Sequence, residues 1–364
     1  PRNHLLRVHI FVAARRLVPL DIATCVVASL DIHLTLTEIM TVLLAISTNS
    51  LYPRVTKIFC YTVDMSKKDD KKLIVNMISE SEFTVQGHGV HTAYKEITDA
   101  LRKRKDIDIE VNSDRPADII HIQTMGLYSF RHLMKKSGKK VVSAHIVPDS
   151  FVGSIKGAKY WKPLGRAWLK FFYKKADLVL ACSGMVADEL INDMRVPKTK
   201  VLYNTINMSR YKHSAAEKKS TRKKLGLKDD DFVVMGNGQV QPRKRLDILI
   251  KAAKEMPDVK FFWVGGIPFK NLGADYNAMQ DMIKNAPNNL TVTGVIALEN
   301  VRDYYVAADV FVLPAMQENH PMCVLEAAGA GLPIILRDIP QYNDTFKGDA
   351  VMAKTDDEFL ELIS

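Results

Sequence analysis

The sequence is poor in the features that mark specialised classes of protein. It has only four cysteines, Cys25, Cys60, Cys182 and Cys323, and their spacing fits neither a disulfide framework nor a metal site, so we expect a reducing cytosol. No apolar run reaches the roughly 18 residues that a membrane-spanning helix needs, so the chain is expected to be soluble or to lie on a surface. Hydrophobic residues at 47% and charged residues at 25% exclude a disordered or fibrous protein.

The length and the order of the apolar runs predict an α/β protein of two domains. At 364 residues the chain exceeds the size at which a single core keeps growing. After Lys71, strands and helices alternate in the rhythm of a doubly wound sheet, which predicts one domain over residues 65–203 and a second over 204–364. The predicted strands are 73–78, 117–122, 140–146, 177–182, 232–236, 259–264, 290–294, 309–313 and 333–336, and the predicted helices are 90–104, 126–136, 163–175, 184–193, 243–255, 275–285, 299–307 and 322–330.

The first 64 residues do not continue this alternation, so we expect a leader outside the two domains. The chain starts at Pro1, whereas Met65 precedes a charged hexapeptide and the first strand, as a natural start would. The leader is therefore expected to be translated upstream sequence or an artefact. A signal peptide is a poor alternative, because the terminus has no short apolar core with a small-residue cleavage site. At the other end, residues 356–363 predict a helix that has just begun, so a truncated C-terminus is expected.

Two carboxylates eight positions apart, Glu318 and Glu326, form the most informative pattern. They follow an apolar strand and run into a helix that carries small residues at 327–331. If the helix begins near Met322, both glutamates and the free backbone N–H groups of the helix start lie in one cleft. Such a site holds an anion at one end and accepts from hydroxyls at the other, which suits a diphosphate flanked by two polyols. The same spacing also fits a helix with one N-terminal acid and one solvated acid.

A second block, residues 234–247, predicts a strand, a turn at Gly238, the basic pair Arg243 and Lys244, and the start of a helix. Together the two blocks resemble the donor-binding region of retaining GT-B glycosyltransferases of family 4, with their E-x7-E motif. The second block and residues 261–266 are similar to bacterial diacylglycerol glucosyltransferases, which make membrane glycolipids. The resemblance covers residues 72–364 and implies the GT-B architecture, two Rossmann-like doubly wound domains facing each other across a cleft.

The resemblance also implies roles for the matching residues. Glu318 would orient the hydroxyls of the transferred sugar, Glu326 would hold the ribose, and Lys244 would contact the diphosphate of the nucleotide sugar. The helix start at Pro321, Met322 and Cys323 is expected to contact the donor as well.

The sequence departs from the family pattern at one place. The family commonly has an arginine five or six positions before the lysine, whereas Gln239 and Gly238 stand there in this chain. Arg243 or another base must therefore supply the missing charge, or the phosphate is held more weakly.

The first domain contributes a glycine loop and a histidine. Gly87 and Gly89 precede a predicted helix, and they permit a close backbone approach to an anion at its N-terminus. The resemblance places this loop against the donor phosphate and the acceptor, although a Gly-x-Gly alone equally fits a tight turn. His145, at the end of a predicted strand, matches the family histidine that contacts the donor sugar; a strand-end histidine satisfied by backbone is the alternative. His121 is expected to be structural.

No metal or other cofactor is expected, because the nucleotide sugar is a substrate and the family scheme uses no protein nucleophile. Asp106-Ile107-Asp108 is the nearest candidate for the metal-bridging Asp-x-Asp motif of the other large glycosyltransferase fold. It stands at the start of a predicted strand, so we expect these carboxylates to be solvated.

Positive charge is concentrated in one segment. Residues 131–175 hold 12 basic residues and one acid, a net charge of +11, while the whole chain carries +10. Within this segment a helical projection separates two faces. The aromatic face holds Trp161, Leu164, Trp168, Phe171 and Phe172, and the basic face holds Lys162, Arg166, Lys170 and Lys174.

A basic face opposite an aromatic face is typical of a helix that lies in an anionic membrane interface. We therefore expect a peripheral protein on the cytoplasmic face of the cell membrane. A helix packed on the core with a solvated basic rim is the alternative. Nucleic acid is not expected as a partner, because no recognised nucleic-acid-binding fold accompanies the basic segment.

The resulting hypothesis is a retaining transferase that moves a hexose, glucose from UDP-glucose, to a membrane lipid hydroxyl such as that of diacylglycerol. Two alternatives stay open. One is a GT-B transferase with a soluble sugar or polysaccharide acceptor, which does not need the amphipathic helix. The other is a non-catalytic nucleotide-sugar-binding homologue, suggested by the absent family arginine and the extra leader.

Overall fold

The computed structural model describes residues 6–8, 32–34, 72–84, 89–151, 154, 157–267 and 275–364. Two short strands, β1 (Leu6–Val8) and β2 (Ile32–Leu34), pair antiparallel with Leu6 opposite Leu34. The rest of the expected leader lies outside the described residues, as does Gly87 of the glycine loop. Contacts divide the chain into one unit over residues 1–69 and a second over 70–364, and the second contains both doubly wound sheets.

The first doubly wound domain is built on a six-stranded parallel sheet in the spatial order β4-β3-β5-β6-β7-β8. The strand order reverses between β3 and β5, which opens a crevice at their carboxyl ends. In chain order the elements are β3 (Leu73–Ile78), α1 (Gly89–Arg102), β4 (Ile107–Val111), β5 (Ile119–Ile122), α2 (Leu127–Leu133), β6 (Lys139–Ala144), α3 (Ala158–Lys175), β7 (Leu178–Ala181), α4 (Gly184–Asp188), a π-helical turn (Glu189–Asp193) and β8 (Thr199–Val201).

The second domain repeats this plan with the order β11-β10-β9-β12-β13-β14, again all parallel. Its order reverses between β9 and β12, so their carboxyl ends form the second crevice. The elements are α5 (Ala215–Lys224), β9 (Val233–Asn237), α6 (Leu246–Glu255), β10 (Lys260–Val264), α7 (Tyr276–Lys284), β11 (Leu290–Val292), α8 (Leu298–Ala307), β12 (Val310–Leu313), α9 (Met322–Gly329), β13 (Ile334–Arg337), β14 (Val351–Ala353) and α10 (Asp356–Ile363).

The expectation of an α/β fold with two doubly wound sheets is confirmed. The central strands are runs of buried apolar residues, because a parallel sheet covered by helices has no solvent-facing side; all four residues of β12 are buried. Strands β8 and β14 were not predicted, whereas β4 is the strand expected to start at Asp106-Ile107-Asp108. All three lie at sheet edges, and β4 alternates Ile107, Ile109 and Val111 with acids rather than forming an apolar run. Helix α5 was also missed, because its sequence is dominated by charged residues.

Candidate active site

A cavity of about 690 Å³ lies between the two doubly wound domains, at the carboxyl ends of both sheets. The loops after β3, β5 and β6 line it from the first domain, and those after β9 and β12 line it from the second. The structure thus brings together every described residue that the sequence suggested for catalysis or donor binding. These residues are Gly89, His145, Gly238, Arg243, Lys244, Glu318, Pro321, Met322, Cys323 and Glu326.

The turn after β9 depends on glycine. Gly238 has a φ of +153°, and a Cβ there would lie 3.4 Å from Cε and Nζ of Lys244. The Gly238 carbonyl oxygen accepts a hydrogen bond of 2.9 Å from Nε1 of Trp263, a fully buried side chain of β10. Gly238 therefore leaves room for the lysine stem to lie along the turn, and Trp263 anchors that turn to the core.

Two cations meet one carboxylate on the second-domain wall. Lys244 forms an ion pair with Glu318 Oε1, and Arg243 Nη1 lies 3.2 Å from the same oxygen. Lys244 and Glu318 are each 7% exposed, so water screens their charges only weakly. Arg243 and Lys244 against Glu318 leave a local charge of +1, which favours an anionic ligand. Arg243, which the sequence suggested as a substitute for the family arginine, lies beside Lys244 in the cavity.

The second glutamate of the motif has different partners. Glu326 is 3% exposed on α9, and its Oε2 accepts a hydrogen bond of 2.7 Å from the Tyr305 hydroxyl. Burial raises the pKa of the Glu326 carboxyl, and hydrogen bonds from Tyr305 and Tyr211 counteract part of that rise. Within the part of the chain that the structure describes, no lysine or arginine forms an ion pair with Glu326. The protein partners of this carboxylate are therefore hydroxyl donors and not cations.

His145 follows β6 on the first-domain wall, and its Nε2 lies 3.1 Å from Oε1 of Gln123. An amide oxygen can only accept, so a hydrogen bond between these two atoms places the ring proton on Nε2. His121 lies deeper in the sheet, where its Nε2 is 2.9 Å from Ser143 Oγ and burial lowers its pKa to about 4. His145 therefore reaches the cavity, whereas His121 is a buried strand residue.

Contacts across the cavity include residues that the sequence did not suggest. Asn319 Nδ2 donates to the His145 carbonyl oxygen at 2.8 Å and to Ser150 Oγ at 3.1 Å. Arg243 Nε donates to Ser154 Oγ at 2.8 Å. Asn319 lies inside the E-x7-E motif, so its position was a usable signal; nothing in the local sequence pointed to the two serines. These bonds hold the two walls of the cavity together.

Part of the first-domain side of the cavity is apolar. Phe151, Trp168 and Leu169 line it, with Met125 and Ile146 beside them. Trp168 Nε1 donates to the Met125 carbonyl oxygen at 3.2 Å, so its one polar atom is satisfied. This part of the wall offers apolar surface, while the carboxylate of Glu80, which also lines the cavity, accepts from the backbone N–H groups of Gly126 and Ser129.

The predicted membrane-binding face of α3 needs correction. Phe172 is fully buried in the first-domain core, so the prediction that it contacts a membrane is wrong. Trp168 is turned to the cavity, and Trp161 packs against Phe151 with ring centroids 5.2 Å apart. Periodicity identified an amphipathic helix, but the arc that packs on the core includes Leu169 and Tyr173, which lie beyond the predicted aromatic face, and Phe172 at the edge of that face.

Two of the four residues of the predicted basic face of α3 bind other parts of the protein. Lys162 forms an ion pair with Asp149, and Arg166 donates to the Asp193 carbonyl oxygen at 3.0 Å. The outward surface instead carries Tyr160, Leu164 and Phe171, which are 88%, 74% and 42% exposed, with Lys170, Lys174 and Lys175 near them. We call these six residues the outer face of α3.

Among the described residues, no group of three or more histidine, cysteine or acidic side chains could hold a metal ion. Among the helices of that same part of the chain, none is both long and apolar enough to cross a membrane.

Two family descriptions match this chain. Glycosyltransferase Family 4 matches residues 81–210, and Glycosyl transferases group 1 matches residues 217–362. The second range contains Lys244, Glu318 and Glu326.

Two similar curated proteins act on lipids by name. Alpha-galactosylglucosyldiacylglycerol synthase of Streptococcus pneumoniae is 33% identical over 303 residues, which cover 81% of this chain and 80% of that protein. Processive diacylglycerol alpha-glucosyltransferase of Acholeplasma laidlawii is 26% identical over 298 residues, which cover 79% and 86%.

Solved structures share the architecture at low sequence identity. The Anabaena protein HepE, in complex with UDP and glucose, has a TM-score of 0.61 and 18% identity, covering 79% of this chain and 88% of its own. Sucrose-phosphate synthase of Thermosynechococcus elongatus has a TM-score of 0.63 and 15% identity, covering 80% and 89%. At these identities the likeness concerns the fold alone, and it confirms the two facing Rossmann-like domains.

Proposed function

The chain belongs to the family 4 glycosyltransferases, and from that premise we propose that it moves a hexose from a UDP-sugar to a hydroxyl of a membrane lipid, with retention of configuration. One observation carries the proposal. Arg243, Lys244, Glu318 and Glu326 line a single cavity whose opposite wall includes a group of apolar side chains. This distribution suits a charged, hydroxyl-rich donor on one side and a lipid on the other.

The donor is proposed to lie along the second-domain wall. The local charge of +1 at Arg243, Lys244 and Glu318 attracts the diphosphate. A lysine ammonium has three N–H donors, so Lys244 can bind a phosphate oxygen while still donating to Glu318. Glu318 then accepts from the hydroxyls of the sugar, and Glu326, buried and without a cation, accepts from those of the ribose. Gly89, Pro321, Met322 and Cys323 surround the donor.

The acceptor is proposed to enter from the first-domain wall. Phe151, Trp168 and Leu169 provide apolar surface next to His145, which we assign to the sugar hydroxyls. A glycerolipid has an apolar body and one free hydroxyl, so it matches a wall that places apolar side chains next to polar ones. The two diacylglycerol-named relatives support the same class of acceptor.

In the proposed reaction the acceptor oxygen forms a bond to the anomeric carbon on the face from which the diphosphate leaves. The bond from that carbon to the diphosphate oxygen breaks, and the acceptor proton moves to the departing diphosphate. Lys244 and Arg243 stabilise the negative charge that grows on the leaving group, which is the main electrostatic contribution of the protein. No covalent intermediate with the protein and no metal takes part in this scheme.

Attachment to the inner face of the cell membrane is proposed to use the outer face of α3. Apolar Leu164 and Phe171 would enter the interface, while the neighbouring lysines would meet anionic headgroups. A second cavity, of about 570 Å³, includes the end of this helix in its lining. That lining holds Lys135, Lys136, Lys139, Lys140 and Lys175 against two aspartates, so its charge favours the same headgroups.

The proposal is tested with radiolabelled sugar on the purified protein. UDP-glucose, UDP-galactose and GDP-mannose are each incubated with extracted lipids and, separately, with oligosaccharides. We expect label in the lipid fraction from a UDP-sugar, with an α-anomeric product by NMR because the donor is α-linked. Glucose is the sugar expected from the sequence, and the galactosyl name of one relative makes galactose the second candidate.

Label in oligosaccharides alone would establish the soluble-acceptor alternative. If the protein binds UDP yet transfers and hydrolyses no donor, it is a non-catalytic homologue. A β-linked product would exclude retention from an α-linked donor while leaving the lipid acceptor intact.

A further inference from the structure

Glu326 is a buried carboxylate held by a phenol. Its Oε2 accepts from the Tyr305 hydroxyl at 2.7 Å, Tyr211 also donates to the carboxylate, and Glu326 lines the cavity. An ionised carboxylate has about four acceptor sites, and burying it with few donors is costly. The arrangement is therefore completed by a ligand that brings hydroxyl donors.

Tyr305 lies on α8 and is fully buried, so its ring cannot turn to other partners. Its hydroxyl oxygen accepts a hydrogen bond of 2.8 Å from Asn237 Nδ2. A phenol has a single proton, and Asn237 supplies a donor on one side, so that proton points towards Glu326 Oε2, with the Cys323 carbonyl oxygen a longer 3.2 Å away. Asn237 thus sets the direction of the Tyr305 proton.

This chain of bonds connects two parts of the donor site. Asn237 is the last residue of β9, directly before the Gly238 turn that leads to Lys244. Glu326 lies on α9, after β12. The network Asn237–Tyr305–Glu326 therefore links the turn of the proposed phosphate site to the carboxylate of the proposed ribose site, through a residue that does not line the cavity.

We propose that Tyr305 is a positioning residue that selects a ribonucleotide donor: its hydroxyl, oriented by Asn237, holds Glu326 so that the carboxylate receives both hydroxyls of a ribose. The inference rests on the proposed function, which assigns Glu326 to the ribose. A vicinal diol presents two O–H donors to one carboxylate, whereas a dideoxyribose presents none. A carboxylate released from Tyr305 can turn away from the diol, so the preference for ribose falls.

The test compares UDP with 2′,3′-dideoxyuridine diphosphate by calorimetry on the full chain. Wild type should bind UDP about 10- to 100-fold more tightly, as expected for hydrogen bonds to a charged group. Tyr305→Phe should reduce that preference to a few-fold by weakening UDP alone. Tyr342→Phe is the matched control, since Tyr342 is equally buried and its hydroxyl has no partner among the described residues. It should leave the preference unchanged.

A second variant keeps the test valid if Tyr305→Phe fails to fold. Asn237→Asp preserves shape but offers acceptors, so it draws the Tyr305 proton away from Glu326. The added charge weakens both nucleotides, and the ratio between them should still fall to a few-fold.

The outcomes distinguish the role of Tyr305 from the assignment of Glu326 to the ribose. A preference lost in Glu326→Gln but kept in Tyr305→Phe and Asn237→Asp would overturn the role of Tyr305 and leave the proposed function standing. No preference in wild type would instead remove Glu326 from the ribose site. Equal weakening of both nucleotides in Tyr305→Phe would indicate a structural role only.

Discussion

Replacing Lys244 by alanine tests the proposed donor site most directly. The change removes one of two cations beside Glu318 and lowers the local charge from +1 to zero. A hydrogen bond to a charged partner contributes about 1.5–3 kcal/mol, which corresponds to roughly 10- to 150-fold in Kd. We therefore expect UDP to bind about 10- to 150-fold more weakly, while uridine, which has no phosphate, changes by less than about twofold. Calorimetry with both ligands measures the difference.

The loss of Lys244 also leaves Glu318 with Arg243 as its remaining cation, so a lower melting temperature is expected as well. The double variant Lys244→Ala/Glu318→Gln restores the local charge to +1, so it should recover stability and part of the UDP affinity but not kcat. Lys251→Ala is the control, because that lysine pairs with exposed Asp357 on the same domain and should change neither ligand. Equal losses for UDP and uridine would refute the assignment of Lys244 to phosphate.

Three further predictions concern burial and the helix α3. The pKa of Glu326 is raised in the folded state, so its contribution to stability is present at low pH and is lost as the pH rises through that pKa. Glu326→Gln should therefore raise the melting temperature at about pH 8, and less so near pH 5. The same variant should raise the KM for the donor. The double variant Leu164→Ser/Phe171→Ser should abolish co-sedimentation with anionic vesicles without lowering the melting temperature. Phe172→Ala should instead destabilise the fold by about 3–5 kcal/mol, because Phe172 is fully buried. Vesicle binding that persists in the double variant would exclude the outer face of α3 as the membrane-binding surface. Trp168→Ala should raise the KM for the lipid acceptor and leave the donor KM unchanged, and the reverse pattern in steady-state kinetics would contradict the apolar acceptor wall.

Much of the fold is encoded in local sequence patterns. Alternating apolar runs and helical periods predicted the central strands and most helices, because a buried parallel strand must be apolar along its whole length. The edge strands β8 and β14 were not predicted, since an edge strand is short and one side of it meets solvent. The spacing of Glu318 and Glu326 likewise identified a site before any geometry, because the strand, loop and helix that carry them are contiguous in the chain.

The sequence by itself therefore determined the two doubly wound domains, the family, and those cavity residues that belong to one contiguous motif. Only the tertiary structure decided which residues meet across long separations. It paired Lys244 with Glu318, brought Tyr305 to Glu326, and joined Arg243 to Ser154 of the other domain. It also decided which arc of α3 is buried, because a helical period fixes the spacing of apolar residues while the neighbouring core selects the face that packs.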